Sequence, residues 1–127
     1  MKRLLFDTQA FLWWLEKDEP RLQPATTAAI LDRSNEVFIS VINAWEIAIK
    51  VSAGKLRMDH GIAELAEHYG FSVLPVLLPH AAAVKDLPAH HRDPFDRMLI
   101  AQAKVEELTL ITRDPNIQKY DIPILDA

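Results

Sequence analysis

The chain has 127 residues, and half of them are hydrophobic, which is enough for one compact core and too short for two ordinary domains. The absence of cysteine excludes disulfides, thiolate metal sites and cysteine nucleophiles, so a metal ion would need oxygen or imidazole ligands. The formal net charge of -4 argues against an ordinary basic nucleic-acid binder, unless several of the acids bind cations. We therefore expect a single domain over residues 1–127, and the lack of cysteine fits a cytoplasmic setting.

The chain begins with a basic residue pair and a short apolar run that ends abruptly at Asp7. This run is too short for the hydrophobic region of a signal peptide, and no later stretch approaches the length of a membrane span. We therefore expect no association with a membrane.

The first half of the chain reads as strand, helix, helix, strand and helix. The predicted elements are a strand at 3–6, a helix that begins after Asp7-Thr8, a helix at 25–33, a strand at 37–39 and a helix at 41–51. A polar stretch at 16–23 separates the first two helices. Ser40 is a suitable cap for the helix at 41–51. Its expected inward positions are Ile42, Trp45, Ala48 and Ile49.

The second half continues the same alternation. Its predicted elements are a helix at 62–69 ended by Gly70, a strand at 71–77 interrupted by Pro75, helices at 79–86 and 94–107, a strand at 109–112 and a weak strand at 122–125. Strands that alternate with helices favour a mainly parallel sheet covered on both faces. We therefore predict a three-layer α/β fold with about five strands.

Acidic residues follow the predicted strands or begin the predicted helices. Asp7 comes directly after the first strand and Asp114 directly after the fourth, while Asp93 and Asp96 lie where the helix at 94–107 begins. Glu46 is one and a half turns into the helix after the second strand. In open parallel sheets ligands bind beyond the carboxyl ends of the strands, so these side chains are expected to approach one another.

Each acid also has a purely structural interpretation. Asp7 and Asp93 are suitable helix caps, and Asp96 occupies the acidic position of a capping box. Glu46 is four residues before Lys50, a spacing that favours an ion pair worth a few tenths of a kcal/mol. Structural roles alone do not explain why so many acids adjoin the ends of apolar runs.

Clustered carboxylates raise one another's pKa values unless a cation compensates. All-oxygen ligands suit Mg²⁺ or Mn²⁺, and such ions can generate hydroxide from water and offset charge that develops on a phosphodiester. Arg97 and Arg113 each adjoin a candidate acid and could contact phosphate, although a structural role is an equal alternative for both.

Four segments of the sequence resemble the successive motifs of the PIN domain family and, more closely, the VapC-type toxins of bacterial toxin–antitoxin pairs. The match runs along the whole chain in the right order, which makes it more specific than any single motif. The segments are LLFDT at 4–8, the stretch from Ser40 through WEI to Lys50, HRDPFDRMLIA at 91–101 and LITRD at 110–114.

The resemblance implies a magnesium- or manganese-dependent endoribonuclease that acts on RNA, is inhibited by a cognate antitoxin and forms a homodimer. Carried over residue by residue, the four family acids correspond to Asp7, Glu46, Asp96 and Asp114. Asp93 matches an acid found in this branch of the family, and it is a further candidate ligand. Thr8 and Thr112 resemble the hydroxyl positions beside the metal site.

Two other functions remain as alternatives. One is a phosphotransfer domain of the phosphatase or receiver type, although Gln9 stands where a dehalogenase-like phosphatase needs its second aspartate. A receiver would need an acceptor aspartate where this chain has Leu78-Pro79. The other is a PIN-like module that binds a partner or RNA without cutting it.

The histidines and tryptophans are given mostly structural interpretations. The five histidines have no zinc-like spacing and are expected on the surface or in loops, with His91 as the exception because it adjoins the acids. The tryptophans are expected to pack in the core. Since adjacent residues of one helix cannot both face inward, Trp13 or Trp14 is expected to contribute to a subunit or antitoxin surface.

Overall fold

The computed structural model describes residues 1–16 and 20–127 and has a five-stranded sheet at its centre. The strand order is β3-β2-β1-β4-β5, and all four neighbouring pairs are parallel. The strands are β1 (Arg3–Phe6), β2 (Glu36–Ser40), β3 (Ser72–Leu74), β4 (Thr109–Thr112) and β5 (Ile124–Asp126). The first strand therefore lies in the middle, and the strand order reverses between β1 and β4.

Within the described residues, six α-helices connect and cover these strands. They are α1 (Thr8–Leu15), α2 (Pro24–Leu31), α3 (Val41–Ser52), α4 (Ile62–Tyr69), α5 (Leu78–Ala83) and α6 (Pro94–Glu106). Single 3₁₀ turns follow α5 at Val84–Asp86 and precede β5 at Ile117–Lys119. None of the helices in this described part of the chain combines the length and the apolar character that crossing a membrane requires.

The core consists of two hydrophobic clusters, one on each face of the sheet. Successive side chains of a strand point to opposite faces. Accordingly, Leu4 and Phe6 of β1 belong to the cluster that includes Phe11 of α1, while Leu5 belongs to the cluster that includes Leu99 of α6. The predicted three-layer α/β fold with a parallel sheet is confirmed.

Several helix ends follow the predicted local signals. The Ser40 hydroxyl accepts a hydrogen bond from the main-chain N–H of Ile42 at 3.0 Å and begins α3. Gly70 ends α4 with φ = 74°, a left-handed conformation that costs glycine little. Asp93 begins α6, since its Oδ1 accepts from the N–H of Asp96 at 3.0 Å.

Other predicted bounds were wrong at the edges of the fold. The third strand stops at Leu74, because Pro75 lacks the N–H that would continue it. The fifth strand begins at Ile124, two residues later than predicted. The second helix ends at Leu31, after which the Asp32 carboxylate accepts from the N–H and hydroxyl of Ser34. The predicted polar stretch at 16–23 lies partly outside the described residues, at 17–19.

The orientation of α3 also differs from the prediction. The helix buries Ile42, Asn43 and Ile47, whereas Trp45 and Ile49 are 58% and 45% exposed. The cause is Asn43, whose amide nitrogen donates to the Phe6 carbonyl at 3.2 Å and to the Thr8 hydroxyl at 3.1 Å. These buried hydrogen bonds turn a polar side chain inward and leave two large apolar side chains outside.

The surface role expected for His80 was also wrong, because the side chain is completely buried. Its Nδ1 accepts a hydrogen bond from the N–H of Leu77 at 3.0 Å, which places the ring proton on Nε2. That nitrogen lies 2.7 Å from Glu106 Oε2, so His80 joins α5 to α6.

Replacement of Leu5 tests the importance of the central strand. Leu5 is completely buried between the sheet and its covering helices, so Leu5→Ala should lower the free energy of unfolding by about 2 to 5 kcal/mol through lost burial and a residual cavity. Urea unfolding measures this difference. Leu31→Ala is the matched control, because Leu31 is 63% exposed and its truncation should change stability by less than about 0.5 kcal/mol. Equal losses would contradict the assignment of Leu5 to the core.

Candidate active site

A cleft of about 320 Å³ lies at the carboxyl ends of β1 and β4, where the strand order reverses. Its acidic lining residues are Asp7, Glu46, Asp96 and Asp114, and the basic side chains of Lys50 and Arg113 also line it. The four acids come from four separate segments of the chain. The structure therefore brings together the acids that the sequence proposed as one group.

Asp7 lies directly after β1 and is only 6% exposed. Its Oδ1 accepts from the N–H of Ala10 at 2.7 Å and so caps α1. Burial raises the pKa of Asp7 to about 6, and the nearby charges of Asp114 and Glu46 add to the effect, while a hydrogen bond with Thr112 opposes it. The capping and site interpretations of Asp7 are therefore compatible.

Asp96 lies in the first turn of α6, and Asp93 is the cap of that helix. Burial raises the pKa of Asp96 to about 7, with a further contribution from the charge of Asp93, whereas the hydrogen bond from His91 lowers it. Asp93 does not line the cleft, because its carboxylate turns to the N–H of Asp96. The geometry supports capping as the role of Asp93.

Glu46 reaches the cleft because of the way α3 is turned. Asn43 and Glu46 are three residues apart and lie on the same side of the helix, so the inward turn of Asn43 directs Glu46 towards the acids. Glu46 Oε2 lies 3.2 Å from Lys50 Nζ. The other oxygen, Oε1, is buried and has no hydrogen-bond partner among the described residues. An unpartnered buried carboxylate oxygen is costly unless a ligand satisfies it.

Asp114 is linked to the rest of the site through His91 and Thr112. His91 Nε2 lies 2.7 Å from Asp96 Oδ2 and 3.2 Å from Asp114 Oδ2. The completely buried Thr112 hydroxyl accepts from the N–H of Asp114 at 3.1 Å. The Thr8 hydroxyl, which was expected beside the site, lines the cleft and accepts from Asn43.

Arg97 does not extend into the cleft. Its guanidinium donates at 3.0 to 3.4 Å to four main-chain carbonyls and one hydroxyl, those of Val84, Leu87, Pro88, His91 and Tyr120. These bonds stabilise the segment that leads into α6. The Arg97 guanidinium is therefore engaged in structural contacts. This geometry favours the structural role, which the sequence left open beside a contact with phosphate.

Arg113 does line the cleft. Its Nη2 donates to the Arg21 carbonyl and to an oxygen of Ala127, both at 2.6 Å, and Nε donates to the same Ala127 oxygen at 2.9 Å. The guanidinium carbon lies 4.3 Å from the centre of the Trp13 ring. These contacts leave Nη1 without an acceptor among the described residues.

A second, larger cleft of about 500 Å³ is lined by Trp14, Tyr69, Phe71 and residues at the end of α2. Trp14 packs against Tyr69 in an edge-to-face arrangement, and Tyr69 stacks on Phe71, so these rings form part of the core. Neither of the acids with a raised pKa lies in this cleft. The larger volume of this cleft therefore does not make it a better candidate for the active site than the acidic cleft.

The donor set in the smaller cleft fits a hard divalent cation. It provides carboxylate oxygens from several segments, and one of them, Glu46 Oε1, is buried without a hydrogen-bond partner among the described residues. Two of the acids, Asp7 and Asp96, have raised pKa values in the absence of a cation.

The sequence interpretation treated Lys50, which also lines the cleft, only as an ion-pair partner of Glu46. Its four-residue spacing from Glu46 was the available signal that both would lie on one side of α3.

Comparison with known proteins is consistent with this geometry. The family model for the PIN domain matches residues 4–123, and no curated protein matches the sequence. Among solved structures, a chain of DNA-bound VapBC from Salmonella typhimurium has a TM-score of 0.70 at 18% identity, covering 99% of this chain and 98% of that one. FitAcB from Neisseria gonorrhoeae gives 0.67 at 22%, covering 97% and 96%. VapBC2 from Rickettsia felis, bound to a promoter DNA fragment, gives 0.69 at 13%, covering 97% of both chains.

The raised pKa values predict a pH dependence of stability in the absence of metal. For Asp96 the folded chain keeps a proton between the ordinary pKa of 3.8 and about 7, so its contribution to stability is present below that range and is lost as the pH rises through it. Asp96→Asn removes this titrating group. The variant should therefore be more stable than the wild-type chain at about pH 8 in the presence of a chelator, as measured by urea unfolding.

Asp86→Asn provides the matched control, because the Asp86 side chain is 72% exposed. Its stability should follow that of the wild-type chain at about pH 5 and at about pH 8. If Asp96→Asn were less stable than the wild-type chain at about pH 8, the result would contradict the burial of an uncompensated charge at this position.

Proposed function

Because the chain belongs to the PIN domain family, whose members are generally nucleases, we propose that residues 1–127 form one PIN domain that is a Mg²⁺- or Mn²⁺-dependent endoribonuclease. We further propose that it is the toxin of a toxin–antitoxin pair and acts on RNA in the cytoplasm. The observation that carries the enzymatic proposal is the convergence of four carboxylates from separate segments on one cleft.

Asp7, Glu46, Asp96 and Asp114 would hold the cation. When bound, a divalent cation lowers the pKa of an attacking water and offsets the negative charge that develops during phosphodiester hydrolysis. The chain's own contribution is to hold the acids in place, Asp7 through the cap of α1 and Asp96 through its hydrogen bond with His91. Arg113 lines the cleft and its Nη1 has no acceptor among the described residues, which supports a contact between this residue and a substrate phosphate.

Phosphotransfer is less well supported. An acceptor aspartate must present an oxygen to the incoming phosphoryl group, but Asp7 is largely buried and one of its oxygens already accepts from Ala10. Gln9 also lines the cleft, at the position where a dehalogenase-like phosphatase would need a second acid. A binding module that does not cut RNA remains the rival that requires a direct test.

The proposed partners are a cognate antitoxin and a second copy of the chain. Large apolar side chains exposed on α3 support a protein-bound state, since such side chains are costly in water when they lie together. Trp45 packs edge-to-face on Phe95 with the ring centres 5.1 Å apart, which extends this surface towards α6. Trp13 and Trp14, one of which was expected on a partner surface, are both partly buried against the core. We therefore assign the more exposed Trp45 to the partner surface instead.

Replacement of Asp7 by asparagine tests the enzymatic proposal. Asparagine is also a good helix cap, so Asp7→Asn should fold normally while it loses a charged oxygen ligand. We expect Mn²⁺-dependent cleavage of RNA to fall by at least about a hundredfold, the scale seen when an electrostatic group of an active site is removed. Cleavage of a labelled RNA and the melting temperature are the two measurements.

Asp86→Asn is again the matched control and should retain wild-type cleavage. Full metal-dependent activity in Asp7→Asn would falsify the assignment of this acid to the site. Metal binding without cleavage by the wild-type chain would favour the binding module instead.

Co-expression tests the toxin assignment. Expression of this chain alone should arrest bacterial growth, and co-expression of any small protein encoded next to it should restore growth and yield a complex that purifies together. Asp7→Asn expressed alone should be harmless, because the proposed toxicity of the wild-type chain depends on RNA cleavage, which this variant has lost. Harmless expression of the wild-type chain at a similar level, without a bound partner, would count against this role.

A further inference from the structure

We propose that His91 is a positioning residue of the acidic centre, which fixes Asp96 through its ring N–H, lies against Asp114 and does not itself bind the cation. This inference rests on the proposed metal-dependent function. It concerns a residue that is close enough to both acids to be taken for a ligand, because one potential ligand atom from each of the three side chains lies within 4.8 Å of the others.

The hydrogen bonds of the ring identify its tautomer. The main-chain N–H of Arg92 donates to His91 Nδ1 at 3.1 Å, and an amide N–H can only donate. In the neutral ring the proton therefore resides on Nε2, which points at Asp96 Oδ2 at 2.7 Å and lies 3.2 Å from Asp114 Oδ2. A protonated ring nitrogen has no lone pair to offer, so Nε2 acts as a donor to Asp96, with Asp114 Oδ2 close beside it.

The main chain of His91 is held as firmly as its ring. Its N–H donates to the Tyr120 hydroxyl at 3.0 Å, and its carbonyl accepts from Arg97 Nη1 at 3.2 Å. The Tyr120 hydroxyl in turn donates to the Pro88 carbonyl at 2.7 Å. Every polar group of His91 is therefore hydrogen-bonded, and the ring is only 15% exposed. The hydrogen bonds of the loop that precedes α6 therefore fix the direction in which the Nε2–H bond points.

This arrangement leaves Oδ1 of Asp96 for the cation. Asp96 directs Oδ2 at His91, whereas its Oδ1 accepts no hydrogen bond from the described residues. Asp114 also directs Oδ2 at the ring, and its Oδ1 accepts from the N–H of Asn116 at 2.8 Å. A side chain that fixes the orientation of metal-binding carboxylates in this way typically affects metal affinity by about 10- to 100-fold.

Calorimetric titration with Mn²⁺ tests the role through three variants. His91→Ala should weaken Mn²⁺ binding by about 10-fold or more, and His91→Gln should recover part of the loss because its amide can donate in place of the ring. His60→Ala, at an exposed histidine distant in sequence, is the matched control and should bind like the wild-type chain. Melting temperatures establish that each variant is folded.

Pulsed electron paramagnetic resonance of the Mn²⁺-loaded wild-type chain separates positioning from ligation. We expect no coupling from a directly bound imidazole nitrogen, and such a coupling would overturn the proposal. Equal Mn²⁺ affinity of the wild-type chain and a folded His91→Ala would overturn it as well, while leaving the metal-dependent function intact. An absence of Mn²⁺ binding by the wild-type chain would remove both.

Discussion

The cost of holding several carboxylate charges in a cleft partly shielded from water is the constraint on which the site depends. Burial is the main cause of the raised pKa values of Asp7 and Asp96, and neighbouring acids add to both. The fold opposes this cost with the main-chain N–H of Ala10 at the start of α1, with the ring N–H of His91 and with the ammonium of Lys50. The chain therefore supplies part of the positive potential that a divalent cation would complete.

Much of the fold could be predicted because its signals are local. The bounds of β1, β4 and α4 agree with the apolar runs and with the residues that end them, such as Gly70. Among the strands, the main errors lie at the outer strands β3 and β5, where Pro75 and Pro123 interrupt pairing that the apolar pattern alone would extend. Propensity and periodicity do not reveal how far an edge strand remains paired.

The orientation of α3 could not be predicted in the same way. An apolar pattern favours burial of Trp45 and Ile49, but the helix is turned by bonds from Asn43 to residues near the start of the chain. Similarly, the acids could be grouped because parallel strands end at one edge, whereas the commitment of Arg97 to loop carbonyls depends on the folded path of that loop. Contacts between residues distant in sequence decide both cases.

The position of β1 in the middle of the sheet has a consequence for synthesis of the chain. Asp7 is synthesised well before Asp114, but the two meet only after β4 has paired with β1. A nascent chain that stops before β4 has the first acid of the centre but not the last. The complete set of acids can therefore assemble only after β4 and the residue that follows it have been made.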